Sequence, residues 1–188
     1  RMIEFIFEVG TLRRMNRQHL QKLAKTEDSV ADHSFRVAVI GYLLAKEEGV
    51  DADKVLKMCL FHDLAETRTG DANFINKQYV NLKEDEARQD QLSEIPAAAE
   101  ILGLLKEFEQ RQSKESIVAK DADCLDQMIL QREYFYKDQP NHEIWQNHTQ
   151  KSLKTESAQK LAAEIRTTNP FEWLYDLAET KTGRKIPR

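Results

Sequence analysis

Along the chain, apolar residues recur three and four positions apart much more often than they alternate, which is the spacing of helices rather than strands. The clearest case is "TEDSVADHSFRVAVIGYLLAKEEGV" (26–50), where His33, Val37, Ile40 and Leu44 share one stripe. Ser29 with Asp32 three residues on reads as a capped start, and Gly49 as the stop. "DADKVLKMCLFHDLAET" (51–67) follows after almost no loop, with Asp51 as N-cap and Val55, Cys59 and His62 on its inward stripe. So short a connection requires antiparallel packing. His33, opening one helix, is thereby brought beside His62, near the end of the next.

The remaining pattern predicts further helices. "MIEFIFEVGTLRR" puts Ile3, Ile6, Phe7 and Gly10 near one helical face, "RTGDANFINKQYVN" reads as a loop, and 82–93 reads as a charged, solvated helix. Pro96 opens a helix whose apolar face is Ile101, Leu104, Leu105 and Phe108. "SKESIVAKDADCLDQMILQREYFYK" is a long helix, with Ser113 or Ser116 as cap and a stop near "DQPNH". The polar "NHEIWQNH" reads as a loop with exposed His142 and His148. Helices over 151–167 and after Pro170 complete the chain. About eight helices, no convincing strand and no internal repeat predict an all-α bundle. A single domain over 1–188 is expected, with the helices of 149–182 packed on the rest.

Composition narrows the function. Six glycines and four prolines in 188 residues leave little for the turns of a many-stranded sheet. A hydrophobic content of 40% beside 32% charged residues fits a soluble protein with a core. The net charge of −4 supplies no basic face for nucleic acid, so the expected partner is a small molecule. No run approaches the ~18 apolar residues of a membrane span. The N-terminal stretch lacks a signal-peptide layout, and Cys59 and Cys124 sit in apolar helical stretches without CxxC spacing. Reduced thiols and a cytoplasmic location are expected.

Candidate chemistry clusters where helices leave the core. "CLFHDLAETRTGD" (59–71) places His62 and Asp63 directly after an apolar run, then Glu66 and Asp71. In "IVAKDADCLDQMIL", Asp121, Asp123 and Asp126 are interleaved with core positions, which is costly unless they are paired or bound to metal. Three helices thus offer ligands: His33, then His62 with Asp63, then Asp121 or Asp123. Imidazoles with carboxylates suit Mn, Fe, Co, Ni or Zn, and the carboxylates keep Mg open.

These motifs resemble a known family. His33 in "VADHSFRVA", His62-Asp63 in "LFHDLAETRTGD" and Asp123 in "AKDADCLDQ" look like the H…HD…D signature of HD-domain metal-dependent phosphohydrolases. With "LRRMNR" upstream, residues 12–136 are similar to the branch that contains the 5′-deoxynucleotidases. The resemblance implies one divalent cation held by His33, His62, Asp63 and Asp123, with Asp121 outside the ligand set. It also implies Glu66 acting on the attacking water, Asp71 protonating the leaving 5′-oxygen, and Arg17 gripping the phosphate of a nucleoside monophosphate. A homodimer is implied too, and the apolar N-terminal helix suits its interface. Gln18 stands after Arg17 where the bacterial deoxynucleotidase has an aromatic, which puts sugar preference in doubt. The alternatives on this scaffold are a nucleoside triphosphohydrolase, another small-molecule phosphatase, or a metal-stabilised nucleotide-binding module without turnover. Retention of both Glu66 and Asp71 weighs against the last.

Overall fold

Local chemistry sets the ends of the central helices, and the helices then set the site. The computed structural model describes residues 2–19, 27–136 and 140–186. Over these it forms α1 (Met2–Val9), a 3-10 turn (Gly10–Arg14), α2 (Val30–Glu48), α3 (Ala52–Phe61) and α4, a single turn (Glu66–Thr69). A short 3-10 turn (Asn76–Gln78) precedes α5 (Glu84–Leu92), α6 (Ala98–Gln110) and α7 (Lys114–Phe135). The chain ends with α8 (Pro140–Ser152), α9 (Glu156–Thr167) and α10 (Glu172–Thr182). Among the described residues there is no strand, only one antiparallel bridge between Asn16 and Ser29.

The capping box of α2 forms as its sequence predicts. The Asp32 N–H donates to Ser29 Oγ at 3.1 Å, and the Ser29 N–H to Asp32 Oδ2 at 2.9 Å. Gly49 ends the helix in the left-handed region at φ 67°, and Asp51 accepts from the Lys54 N–H to start α3. The reversal between them is three residues long, so α2 and α3 run antiparallel.

Helix α7 packs against both. Val37 and Leu44 of α2, Val55, Met58 and Cys59 of α3, and Val118, Ala122, Leu125 and Met128 of α7 are buried together. Gly41 makes the close approach of α2 and α3 possible: a Cβ there would lie 2.5 Å from Cys59 Sγ and 3.1 Å from Val55 Cγ1. The chain before α2 is tied to its start, with the Val30 N–H donating to Met15 O and the Arg17 N–H to Asp28 O, both at 2.8 Å. Arg17 is thereby fixed next to the end of α2 that carries His33.

Two expectations from the sequence are corrected. "NHEIWQNH" is helical, within α8, not a loop. Its buried positions include Gln146, whose amide donates to Met128 O, and Thr149. A helix that turns polar side chains inward has no apolar period to read. His148 is exposed as expected, whereas the His142 side chain lies outside those described. The helix expected over 151–167 is broken at 153–155 because Asp121 of α7 captures the backbone there. Its carboxylate accepts from the N–H of Lys154 and of Thr155 and from Thr155 Oγ1, at 2.8–3.1 Å. Thr155 in turn caps α9.

Two variants test this core. Gly41→Ala forces Cys59 or Val55 aside and is expected to lose about 1–3 kcal/mol in urea denaturation. Asp121→Ala leaves its own buried site empty, strips the Lys154 and Thr155 N–H groups of their acceptor and is expected to lose a similar ~1–3 kcal/mol while sparing cation affinity.

Candidate metal and phosphate site

Each of the two histidines spends one ring nitrogen on an outer partner. His62, at the end of α3, has Nδ1 2.8 Å from Cys59 O. A carbonyl only accepts, so Nδ1 carries the proton. His33 Nδ1 lies 2.6 Å from Asp126 Oδ2 and donates to that carboxylate. Both Nε2 atoms are therefore left pointing inward as acceptors, 3.2 Å apart.

Acids close the same space. Asp123 Oδ1 lies 3.3 Å from His33 Nε2, and Asp63 Oδ2 lies 3.5 Å from His33 Nε2 and 3.2 Å from His62 Nε2. His33, His62 and Asp123 each offer a ligand atom, all within 4.8 Å of one another. Two imidazole lone pairs facing each other between carboxylates repel unless a proton or a cation lies among them. The donor set, two nitrogens with hard oxygens, fits a divalent cation of intermediate softness.

A cavity of about 320 Å³ opens from this cluster, lined by Arg17, His62, Asp63, Glu66, Asp71 and Asp123 among others. The structure thus brings together every site residue expected from the sequence, with His33 behind His62. Arg17 is buried and reaches two of the acids, Asp63 Oδ2 at 3.1 Å and Asp71 Oδ2 at 3.3 Å. Asp71 Oδ2 also accepts the Gln18 N–H at 2.8 Å. Glu66, in the one-turn α4, is buried, and its Oε2 has no partner among the described residues. That turn is braced from behind: Glu8 of α1 accepts from Arg68, Thr67 and Gln91 at 2.6–3.1 Å.

Burial and crowding shape the proton affinities. Burial, then the charges of Asp63 and Asp71, push Glu66 up to about 10. Burial and Arg17 oppose a charged His33, yet hydrogen bonds to Asp123 and Asp126 outweigh them and raise it to about 9. Asp63 moves the other way: burial resists its ionisation, but His62 and Arg17 hold it below the usual carboxylate range. His19 also lines the cavity, where burial and then Arg17 lower its pKa.

Asp126, three positions after Asp123 and interleaved with core positions, has no role assigned from the sequence. The structure buries it between His33 and Arg36, and Arg36 continues to Glu133 at 2.9 Å. Its only sequence signal is that spacing, since His33 lies 93 positions away.

Asp126→Asn is expected to weaken cation affinity by about 10–100-fold, because it removes the negative charge behind His33 and leaves one acceptor oxygen where two serve His33 and Arg36. Below pH 9 the metal-free site holds a proton on His33, so a cation entering at pH 7 must displace it. Cation affinity is expected to rise with pH up to about 9, with proton release visible as a buffer-dependent binding enthalpy.

Comparison with known proteins agrees with this architecture. The HD-domain family model matches residues 9–166. The 5′-deoxynucleotidase HDDC2 of Dictyostelium discoideum is 30% identical over 154 residues, covering 74% of this chain and 79% of that protein. The human 5′-deoxynucleotidase HDDC2 is 28% identical over 139 residues, covering 71% and 68% respectively. A conserved hypothetical protein from Pyrococcus furiosus has a solved structure that superposes with a TM-score of 0.72 at 31% identity, over 88% of this chain and 99% of that one. Its helical bundle, its clustered histidines and aspartate and this match across most of its length place the chain in the HD-domain family.

Proposed function

We propose that this protein is a divalent-cation-dependent 5′-nucleotidase that hydrolyses (deoxy)nucleoside 5′-monophosphates to nucleoside and phosphate. One observation carries the reading: a cluster of imidazoles and carboxylates fit for a cation adjoins a cavity lined by a buried arginine and two further acids. Relatives named as 5′-deoxynucleotidases support the substrate class.

In this reading His33, His62, Asp63 and Asp123 hold the cation. When bound, it lowers the pKa of water towards neutrality and offsets charge on phosphoryl oxygens. Arg17 takes the phosphate, exchanging its contacts with Asp63 and Asp71 for phosphoryl oxygens. Glu66, desolvated and with Oε2 unpartnered, takes the proton of the attacking water. The water oxygen bonds to phosphorus as the bond from phosphorus to the 5′-oxygen breaks. Asp71 returns a proton to that oxygen. Asp71 is held for this by its contacts with Arg17 and the Gln18 N–H.

The same reading extends to assembly and location. Residues 1–188 act as one domain, with α8 and α9 packed on α7. Helix α1 has no buried residue and leaves Met2, Ile3, Ile6 and Phe7 exposed, an apolar face suited to a homodimer. Cys59 and Cys124 are free thiols, as in a cytoplasmic enzyme. No described helix is long and apolar enough to cross a membrane.

The decisive assay is phosphate release from ribo- and deoxyribonucleoside 5′-monophosphates by metal-stripped protein, with Mn, Co, Mg or Zn restored in turn. Release that depends on the cation and is absent from Asp63→Ala is expected. No release from any monophosphate with any cation would sink the proposal. Glu66→Gln is expected to cut kcat by about 10²–10⁴ while retaining the cation, as measured by metal content after dialysis.

A further inference from the structure

The phosphate end of the cavity is crowded with charge, whereas its wall at Phe74 is aromatic and open. Phe74 lies three residues after Asp71 in the chain and remains 53% exposed. The cavity's other aromatic wall, Phe108, is already engaged. It is buried, with the His62 ring centroid at 5.4 Å and Lys120 Nζ 5.7 Å from its centre. Among the described residues, the aromatic ring against Phe74 is Trp145 of α8, with centroids 5.8 Å apart and planes tilted by 50°. An aromatic ring with one side braced by another ring and much of its surface in solvent is a stacking platform lacking its third ring.

Its position is fixed relative to the phosphate grip. Asn73 is buried, and its Oδ1 accepts from the N–H groups of Ile75 and Asn76, each at 3.0 Å, which shapes the turn carrying Phe74. Asn73 Nδ2 donates to Gln18 O at 3.5 Å, and the Gln18 N–H donates to Asp71 Oδ2. Phe74 is thus tied through backbone contacts to the residue next to Arg17. Arg17 and Phe74 line the same cavity, so a ligand whose phosphate rests on Arg17 has this ring among the walls around it.

We propose that Phe74, braced by Trp145, is the surface on which the substrate's base stacks. The inference deepens the nucleotidase reading and rests on it. Stacking uses the π-face that every base presents, so recognition here tolerates different bases and favours purines by their larger area. The Trp145 ring, remote in sequence from the catalytic motifs, acquires a role as the brace of Phe74.

The test is a calorimetric titration of manganese-loaded Glu66→Gln protein with dAMP, dTMP and the base-less 2-deoxyribose 5-phosphate. Adding Phe74→Ala is expected to lower the ratio of dAMP to 2-deoxyribose 5-phosphate affinity about tenfold, the size of one base–aromatic contact. The loss for dTMP should be smaller, and Phe74→Trp should restore both ratios. An unchanged ratio overturns the proposal. So does an equal fall for all three ligands, which would mark Phe74 as structural. Turnover by the wild-type protein is read separately: its absence, with the ratios behaving as expected, overturns only the hydrolase reading. Absence of any nucleotide binding overturns both.

Discussion

Two imidazole nitrogens that face each other 3.2 Å apart form the constraint around which this structure is organised. Each is held there by an outer hydrogen bond that its ring cannot give up without turning. The pair is unfavourable as two bare lone pairs and is relieved by a proton on His33 or by a cation. Its geometry is inherited from packing: the Gly49–Asp51 reversal and the bare Cα of Gly41 set α2 closely against α3, and α7, packed on both, brings Asp123 to the histidines.

The acids around this point show how much negative charge a site of this size concentrates. Arg17 and Lys120 offset part of it, Lys120 by a 2.5 Å contact to Asp123 Oδ2, and Glu66 answers the rest by holding a proton. In the proposed reaction a dication held by the histidines and aspartates would relieve the same repulsion and lower the proton affinity of Glu66. Cation binding and the proposed general-base role of Glu66 would then be coupled through one electrostatic field. The bracing of α4 by Glu8, Arg68, Thr67 and Gln91 keeps Glu66 in that field, giving helix α1 a share in the site without touching it.

Buried carboxylates in this chain have divided roles that their sequence spacing does not reveal. Asp121, Asp123 and Asp126 lie within six positions of α7, yet one anchors the start of α9, one faces the cation cluster and one orients His33. Each is compensated by a different kind of donor, respectively backbone N–H groups, a lysine beside the histidines, and an arginine beside a histidine. Removing any one leaves a distinct group stranded, so the three should fail in distinguishable ways.

The sequence by itself determined the helical class, the capped central pair and the convergence of His33 on His62, because periodicity, Ser29, Gly49 and Asp51 are local signals and a short reversal allows one packing. It also placed Glu66, Asp71, Arg17 and Asp123 among the site residues, though by resemblance to a family rather than by spacing. Tertiary structure alone decided the rest. Helix α8 was hidden because its inward face carries Gln146 and Thr149, and the break before α9 because its cause, Asp121, lies more than thirty positions earlier. The roles of Asp126 and of the Phe74–Trp145 pair depend on contacts between segments far apart in the chain, and local sequence carries no record of which distant side chain will arrive.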